Sequence, residues 1–346
     1  MTLTGPDIRV LQVHPTRFCN MRCLHCYSSS GPEERSRLEV PLLEQAIGHA
    51  ARLGYNVLSV SGGEPLLYPG LPAICAEARR NRMTVTLVTN GTAMTTARVT
   101  ALAGLVDAVA ISIDGAPPRH NRTRNYPRAF ERMEQQLDLL RQHSIPFGFV
   151  YTLTRYNLSE LEWAADFAVA QGARLLQVHP VEDYGRALSH TDMQSLPEQE
   201  MALSWLVVDC LRSIHEGRLN IQFDSLHRDA LPLKSGEVGQ WKAALDRGVR
   251  SLGEIVSPLV IEDDATVVPL RYGFPRTLAL GNLYQQSLDK LASTWVRQSS
   301  GAFCELYSDV LRRIGASNNR FFNMYEMWAE EAAHRGHQAL KRRAVG

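Results

Sequence analysis

Val10-Leu11-Gln12-Val13-His14, and then Cys19-Asn20-Met21-Arg22-Cys23-Leu24-His25-Cys26-Tyr27, sets three cysteines on a loop just after a short apolar segment. In a reducing compartment, three thiols within eight residues point to metal or catalysis rather than disulfides. Three thiolates can hold three irons of a 4Fe–4S cube that normally takes four, which leaves one iron open to a small molecule. The competing reading is a zinc ion with His14 or His25 as fourth ligand. His25 lies between two of the cysteines, where reaching the same metal would strain the loop.

Outward from this segment, strand-like and helix-like stretches alternate. Val10–His14 is followed by Val57–Ser61, Thr84–Thr89, Ala108–Asp114, Phe147–Thr152 and Arg174–His179, each short, aliphatic or β-branched. Helical faces recur between them: Leu42, Leu43, Ala46, Ile47, Ala50 and Leu53; Phe130, Met133, Leu137 and Leu140; Leu161, Ala164, Ala165 and Ala168. Six strands alternating with helices imply a parallel sheet covered by its crossovers, an α/β fold. The unusual residue groups follow strand ends: the cysteines, then Gly62-Gly63-Glu64-Pro65, Thr89-Asn90-Gly91 and Asp114-Gly115. Loops at that rim converge on one mouth in barrel-type α/β folds. Gly62 and Gly63 let backbone approach a ligand closely, and Glu64 offers a carboxylate to an ammonium group.

The combination resembles the radical S-adenosylmethionine (radical SAM) superfamily. It rests on C-x3-C-x2-C followed by the aromatic Tyr27, then Gly62-Gly63-Glu64-Pro65, Thr89-Asn90-Gly91 and Ser112-Ile113-Asp114-Gly115, over roughly residues 8–215. The resemblance implies a partial (β/α)6 TIM-like barrel with one 4Fe–4S cluster on Cys19, Cys23 and Cys26. It implies S-adenosyl-L-methionine chelated to the open iron, with the Gly62–Pro65 segment on its amine, and Tyr27, Thr89 and Asn90 among the cofactor-facing residues. Ser112 and Asp114 match positions lining the ribose and methionine, and Arg124 resembles an arginine placed near the carboxylate, although Asn125 stands where a glycine usually follows. Reductive cleavage then yields a 5′-deoxyadenosyl radical that abstracts a substrate hydrogen, so no acid–base pair is obligatory for the first step and no catalytic residue is assigned.

After about residue 215 the rhythm changes. Leu219–Phe223, Pro258–Ile261 and Thr266–Leu270 read as strands, a linker-like stretch surrounds Pro232–Gly239, and helices follow over Ser287–Trp295, Phe303–Ile314 and about Phe321–Arg343. Leu280-Gly281-Asn282-Leu283-Tyr284 through Leu288, Leu291 and Trp295 resembles the closing segment of the SPASM domain of radical SAM peptide maturases. Val267-Val268-Pro269-Leu270 is similar to its central hairpin, with Leu270 where a cysteine usually stands. Residues 1–215 are thus expected to form the core, and 216–346 a small α+β SPASM-like unit. With Cys304 alone there, that unit is expected to carry no auxiliary cluster. Cys75 and Cys210 lie in apolar runs and read as buried structural thiols. His227-Arg228-Asp229 is similar to a kinase catalytic loop, but the glycine-rich and D-F-G elements are absent. Lys341-Arg342-Arg343 reads as a solvated helix end.

The 346 residues carry a formal net charge of +1, 45% hydrophobic and 21% charged residues, which disfavours disorder and any bulk attraction to nucleic acid or anionic membranes. The apolar runs are far too short to span a bilayer and the N-terminus lacks a signal-peptide layout, so the chain reads as cytoplasmic. The leading expectation is modification of a ribosomally made peptide by crosslinking, epimerisation or other C–H functionalisation. The alternatives are a small molecule such as a tetrapyrrole or nucleoside sugar, and a non-catalytic zinc module. An external flavodoxin- or ferredoxin-type electron donor is expected. Few residues precede the first strand, so a leader peptide would need a separate recognition protein or the C-terminal unit. Candidate substrate residues are His179, Tyr184, Asp224 and Tyr272.

Overall fold

Each of the six expected strands forms within one residue of its predicted ends: β1 Val10–Val13, β2 Val57–Val60, β3 Thr84–Thr89, β4 Ala108–Ile113, β5 Phe147–Leu153 and β6 Leu175–Pro180. They pair in parallel in chain order, with Val10 opposite Val57 and Val57 opposite Thr84. The computed structural model describes residues 8–232 and 251–345, the last helix beyond residue 336 as backbone alone. The expected linker around Pro232–Gly239 lies outside the described residues except for Pro232, as do the side chains of Lys341–Arg343.

Strand side chains alternate between two environments. Leu87 and Val109 pack against Val99, Leu102 and Leu140 of the covering helices. On the other face Gln12, Ser59, Val88, Ser112, Val150 and Gln177 line one cavity of about 410 Å³. A sheet whose successive strands face the same hollow is curled, which makes this a partial barrel. The predicted helical faces are the buried ones. Helix α1 (Val40–Arg52) buries Leu43, Ala46, Ile47 and Ala50. The second face is split at Gln135 and Gln136 into two short helices that still bury Phe130, Met133, Leu137 and Leu140.

The division expected at residue 215 falls in the turn between the helix Glu198–Ile214 and β7 (Asn220–Phe223), and the sheet continues through it, since β7 pairs parallel with β6. Among the described residues, β8 (Leu226–His227) follows in a separate two-stranded sheet. On the opposite flank β9 (Leu259–Ile261) pairs parallel with β1, and β10 (Thr266–Pro269) and β11 (Gly281–Asn282) extend that side antiparallel. Helices Leu288–Gln298, Ser300–Ala316 and Met324–Val345 complete the chain. The last was expected from Phe321. Instead Phe321–Phe322 forms β12 against β8, and the Asn323 side chain accepts the amide of Glu326 at the helix start.

Two further expectations are settled by position. Cys210 is exposed rather than buried, because its helix turns Met201, Ser204, Val208 and Leu211 inward and leaves residue 210 on the outer face. His227, in β8 of the small sheet, stacks on Trp205 and packs tilted against Phe321, and Asp229 points into solvent, so His227-Arg228-Asp229 is packing rather than a catalytic loop.

Candidate functional site

The loop after β1 lies across the C-terminal rim, pinned from three sides. Gly63 and Glu64 donate their amides to the carbonyls of Thr16 and Phe18 (2.8 and 2.9 Å). A Cβ on Gly63 would lie 2.2 Å from the Phe18 carbonyl oxygen, and one on Gly62, at φ 117°, 2.7 Å from that of Thr16. The glycine pair therefore serves the close approach of two loops. From the loop after β6, Arg186 donates through Nε to the Cys23 carbonyl (2.8 Å) and through Nη2 to that of Ser30 (2.6 Å). From the β4 side, Leu24 donates its amide to Thr123.

Cys19, Cys23 and Cys26 all face the cavity, together with Tyr27, whose hydroxyl lies 3.3 Å from Ser61 Oγ. Polar groups surround the sulfurs. Asn90 Nδ2 stands 3.8 Å from Cys19 Sγ, Arg124 Nη1 3.8 Å from Cys23 Sγ, and Ser28 Oγ 3.4 Å from Cys26 Sγ. Burial pushes the Cys23 thiol up to about 11, and Cys19 is raised by the same cause, so metal binding here must displace protons. Among the described residues, no three His, Cys, Asp or Glu side chains converge on one point as a single ion requires. His14 is wholly buried between Tyr27 and Tyr272 and does not line the cavity. Three thiols on one cavity, with His14 outside it and His25 Nε2 held against Asp114, fit a cube with one open iron better than a zinc ion that needs a fourth ligand.

Gly62, Gly63, Thr89, Asn90, Ser112 and Arg124 line the same cavity. Glu64, Pro65 and Asp114 do not. Glu64 is fully buried, and its carboxylate accepts from Thr89 Oγ1 (2.7 Å), the Leu66 amide (3.1 Å) and the Asn90 amide (2.9 Å). Burial raises its pKa against those hydrogen bonds. Pro65 begins the buried turn Pro65–Leu67. Asp114, also fully buried, sets Oδ2 2.6 Å from Arg124 Nε and 3.0 Å from His25 Nε2. Burial alone would raise its carboxyl, but Arg124 and His25 hold it well below the usual range.

The cavity is also lined by His179, Asp224 and Tyr272, and by Gln177, Glu182, Arg271 and Tyr325, which the sequence reading missed. Burial works against the Asp224 charge, yet His179 Nδ1 (3.1 Å), Gln177 Nε2 (2.5 Å) and Gln222 Nε2 (2.8 Å) hold its pKa below the ordinary value. His179 Nε2 lies 3.7 Å from Glu182 Oε1, so the two ring nitrogens face two carboxylates. Tyr184 does not line the cavity. It packs behind Arg271, whose guanidinium lies 5.1 Å from its ring centre. Gln177 was legible in principle, since it shares the inward parity of His179 on β6. Arg186 and Tyr325 carried no local signal.

The radical SAM superfamily profile matches residues 13–168. The AdoMet-dependent heme synthase of Methanosarcina barkeri is 32% identical over 200 residues, 57% of this chain and 57% of that one. The PqqA peptide cyclase of Ruegeria pomeroyi is 29% identical over 190 residues, 54% of this chain and 50% of its own. The chain thus spans little more than half the length of these relatives. SuiB of Streptococcus suis, solved with S-adenosylmethionine, matches in fold with a TM-score of 0.67 at 13% identity, over 87% of this chain and 68% of SuiB. It has also been solved bound to the precursor peptide SuiA. The fold is shared with these solved structures, and over residues 13–168 the chain matches the radical SAM domain, whose superfamily binds a 4Fe–4S cluster and S-adenosylmethionine.

Proposed function

We propose that this protein is a radical SAM enzyme that modifies a ribosomally made peptide. The reading rests on one cavity lined both by three thiols and by the His179–Asp224 pair. In it Cys19, Cys23 and Cys26 hold the cluster, and Tyr27, Gly62, Gly63, Thr89, Asn90, Ser112 and Arg124 border S-adenosylmethionine. Bound together, these cofactors supply a 5′-deoxyadenosyl radical that takes a substrate hydrogen atom. Asp114 and Glu64 act from behind, through Arg124 and through Thr89 and Asn90. His179, oriented by Asp224, offers Nε2 to a proton on the substrate. Residues 216–346 serve as a SPASM-like lid without an auxiliary cluster: Leu270, the residue after β10, lines the cavity where a cysteine would stand in that domain.

The fold likeness to SuiB and the relation to a peptide cyclase support a peptide substrate; an external flavodoxin- or ferredoxin-type electron donor is part of the proposal. Among the described residues no helix is long and apolar enough to cross a membrane, and we place the enzyme in the cytoplasm. The heme synthase relative supports a second reading, a tetrapyrrole substrate. The deciding experiment incubates the reconstituted enzyme with reductant, S-adenosylmethionine and either peptides encoded beside its gene or iron coproporphyrin. Stoichiometric 5′-deoxyadenosine with a peptide mass change is the expected result. Turnover of the porphyrin alone would replace the peptide by the second reading, and a wild-type protein that binds no cube would end both.

A further inference from the structure

We propose that Arg124, anchored by Asp114, raises the reduction potential of the cluster through Cys23, an inference that rests on the cluster assignment above. The three sulfurs do not have equivalent surroundings. Cys19 meets a neutral amide, Asn90 Nδ2 at 3.8 Å, and the Met21 amide at 3.4 Å, while Cys26 meets the Ser28 hydroxyl at 3.4 Å. Cys23 meets a guanidinium, Arg124 Nη1 at 3.8 Å.

That guanidinium is oriented. Its Nε forms an ion pair with Asp114 Oδ2 at 2.6 Å without an aligned hydrogen bond, while Nη1 donates towards the sulfur, so the cation contacts both the carboxylate and Cys23. Asp114 is itself fixed: its amide donates to His120 Nδ1 (3.2 Å), its carbonyl accepts from Asn157 Nδ2 (3.2 Å), and His25 Nε2 approaches Oδ2 at 3.0 Å. The side chains of Arg124 and Asp114 are 9% and 0% exposed, so salt screens the pair weakly. A cation close to a ligand sulfur favours the state with one more electron, and hydrogen bonds to cluster sulfurs are an established lever on potential. Asp114 is therefore a positioning residue, and Arg124 has a task besides any contact with a cofactor carboxylate.

The test is a potentiometric titration followed by electron paramagnetic resonance on the reconstituted full-length protein, wild type against Arg124→Gln and Arg124→Lys, with iron counted in each. It is run without S-adenosylmethionine, so that a carboxylate-binding role cannot contribute. Loss of the charge in Arg124→Gln should lower the reduced-to-oxidised ratio at a fixed potential about tenfold, roughly 59 mV for one electron. Arg124→Lys, which keeps the charge without the planar fork, should shift less. Equal potentials in all three intact proteins would overturn the inference, even if Arg124→Gln weakened cofactor binding and so left the proposed function standing. Loss of the cluster from both variants would also overturn it, making Arg124 a structural requirement. A wild type without a cluster would instead strike the proposed function itself.

Discussion

Glu64 shows how a motif residue can join two loops from behind the cavity wall. Its carboxylate binds the loop after β2 to Thr89 and Asn90 after β3, and both oxygens are occupied in a buried place. Glu64→Ala would leave three donors without a protein partner, at a cost of about 3 kcal/mol. We therefore expect a lower melting temperature and poorer iron retention, with Glu64→Gln milder; a loss of cofactor affinity alone, at unchanged melting temperature, would refute this. His14 makes a different prediction. Its ring is wholly buried and neither nitrogen has a hydrogen-bond partner, and burial lowers its pKa to about 3 from 6.5. The unfolded chain thus binds a proton that the folded chain refuses, so stability falls as pH drops from about 6.5 toward 3, by roughly 1.4 kcal/mol per pH unit from this residue. Urea midpoints of wild type should fall more steeply between pH 7 and 5 than those of His14→Phe. Parallel slopes would show that His14 is not the proton acceptor.

The loops after β1 and β2 work as one unit because Gly63 admits the Phe18 carbonyl where a side chain would stand. Gly63→Ala must push the two loops apart, and iron per chain in reconstituted protein should fall well below that of wild type. Full iron content with an unchanged absorption spectrum would mean the loops can give way. The elements themselves were largely legible. Strands buried beneath helices on one face and lining a hollow on the other keep a period of two, and α1 keeps its apolar stripe. What escaped was set by contacts distant in sequence. Phe321 and Phe322 continue an apolar helical pattern, yet pair with Leu226 and His227 nearly a hundred residues away. Asp114 and Glu64, expected at the cofactor from the family resemblance, do not line the cavity. Which way their carboxylates turn depends on Arg124, Thr89 and Asn90, whose proximity only the assembled rim creates.

Across the molecule, the cavity draws residues from each of β1 to β6 and from the last helix, where Tyr325 stands near Asp224. The first two-thirds is therefore not self-sufficient: β1, whose following loop carries the cysteines, pairs with β2 on one side and with β9 on the other. A fragment ending at residue 232 would leave that second edge bare, and we expect it to elute as aggregates and to retain little iron. A monodisperse fragment with full iron content would contradict this. The same pairing imposes an order in time on the living cell. Nearly 250 residues separate β1 from β9. A ribosome adding 5–20 residues per second needs roughly ten seconds to a minute to bridge that interval. Throughout it the nascent chain holds an unmatched strand beside three reactive thiols, so chaperone cover and the timing of iron–sulfur delivery bear on the yield of this enzyme as directly as its sequence does.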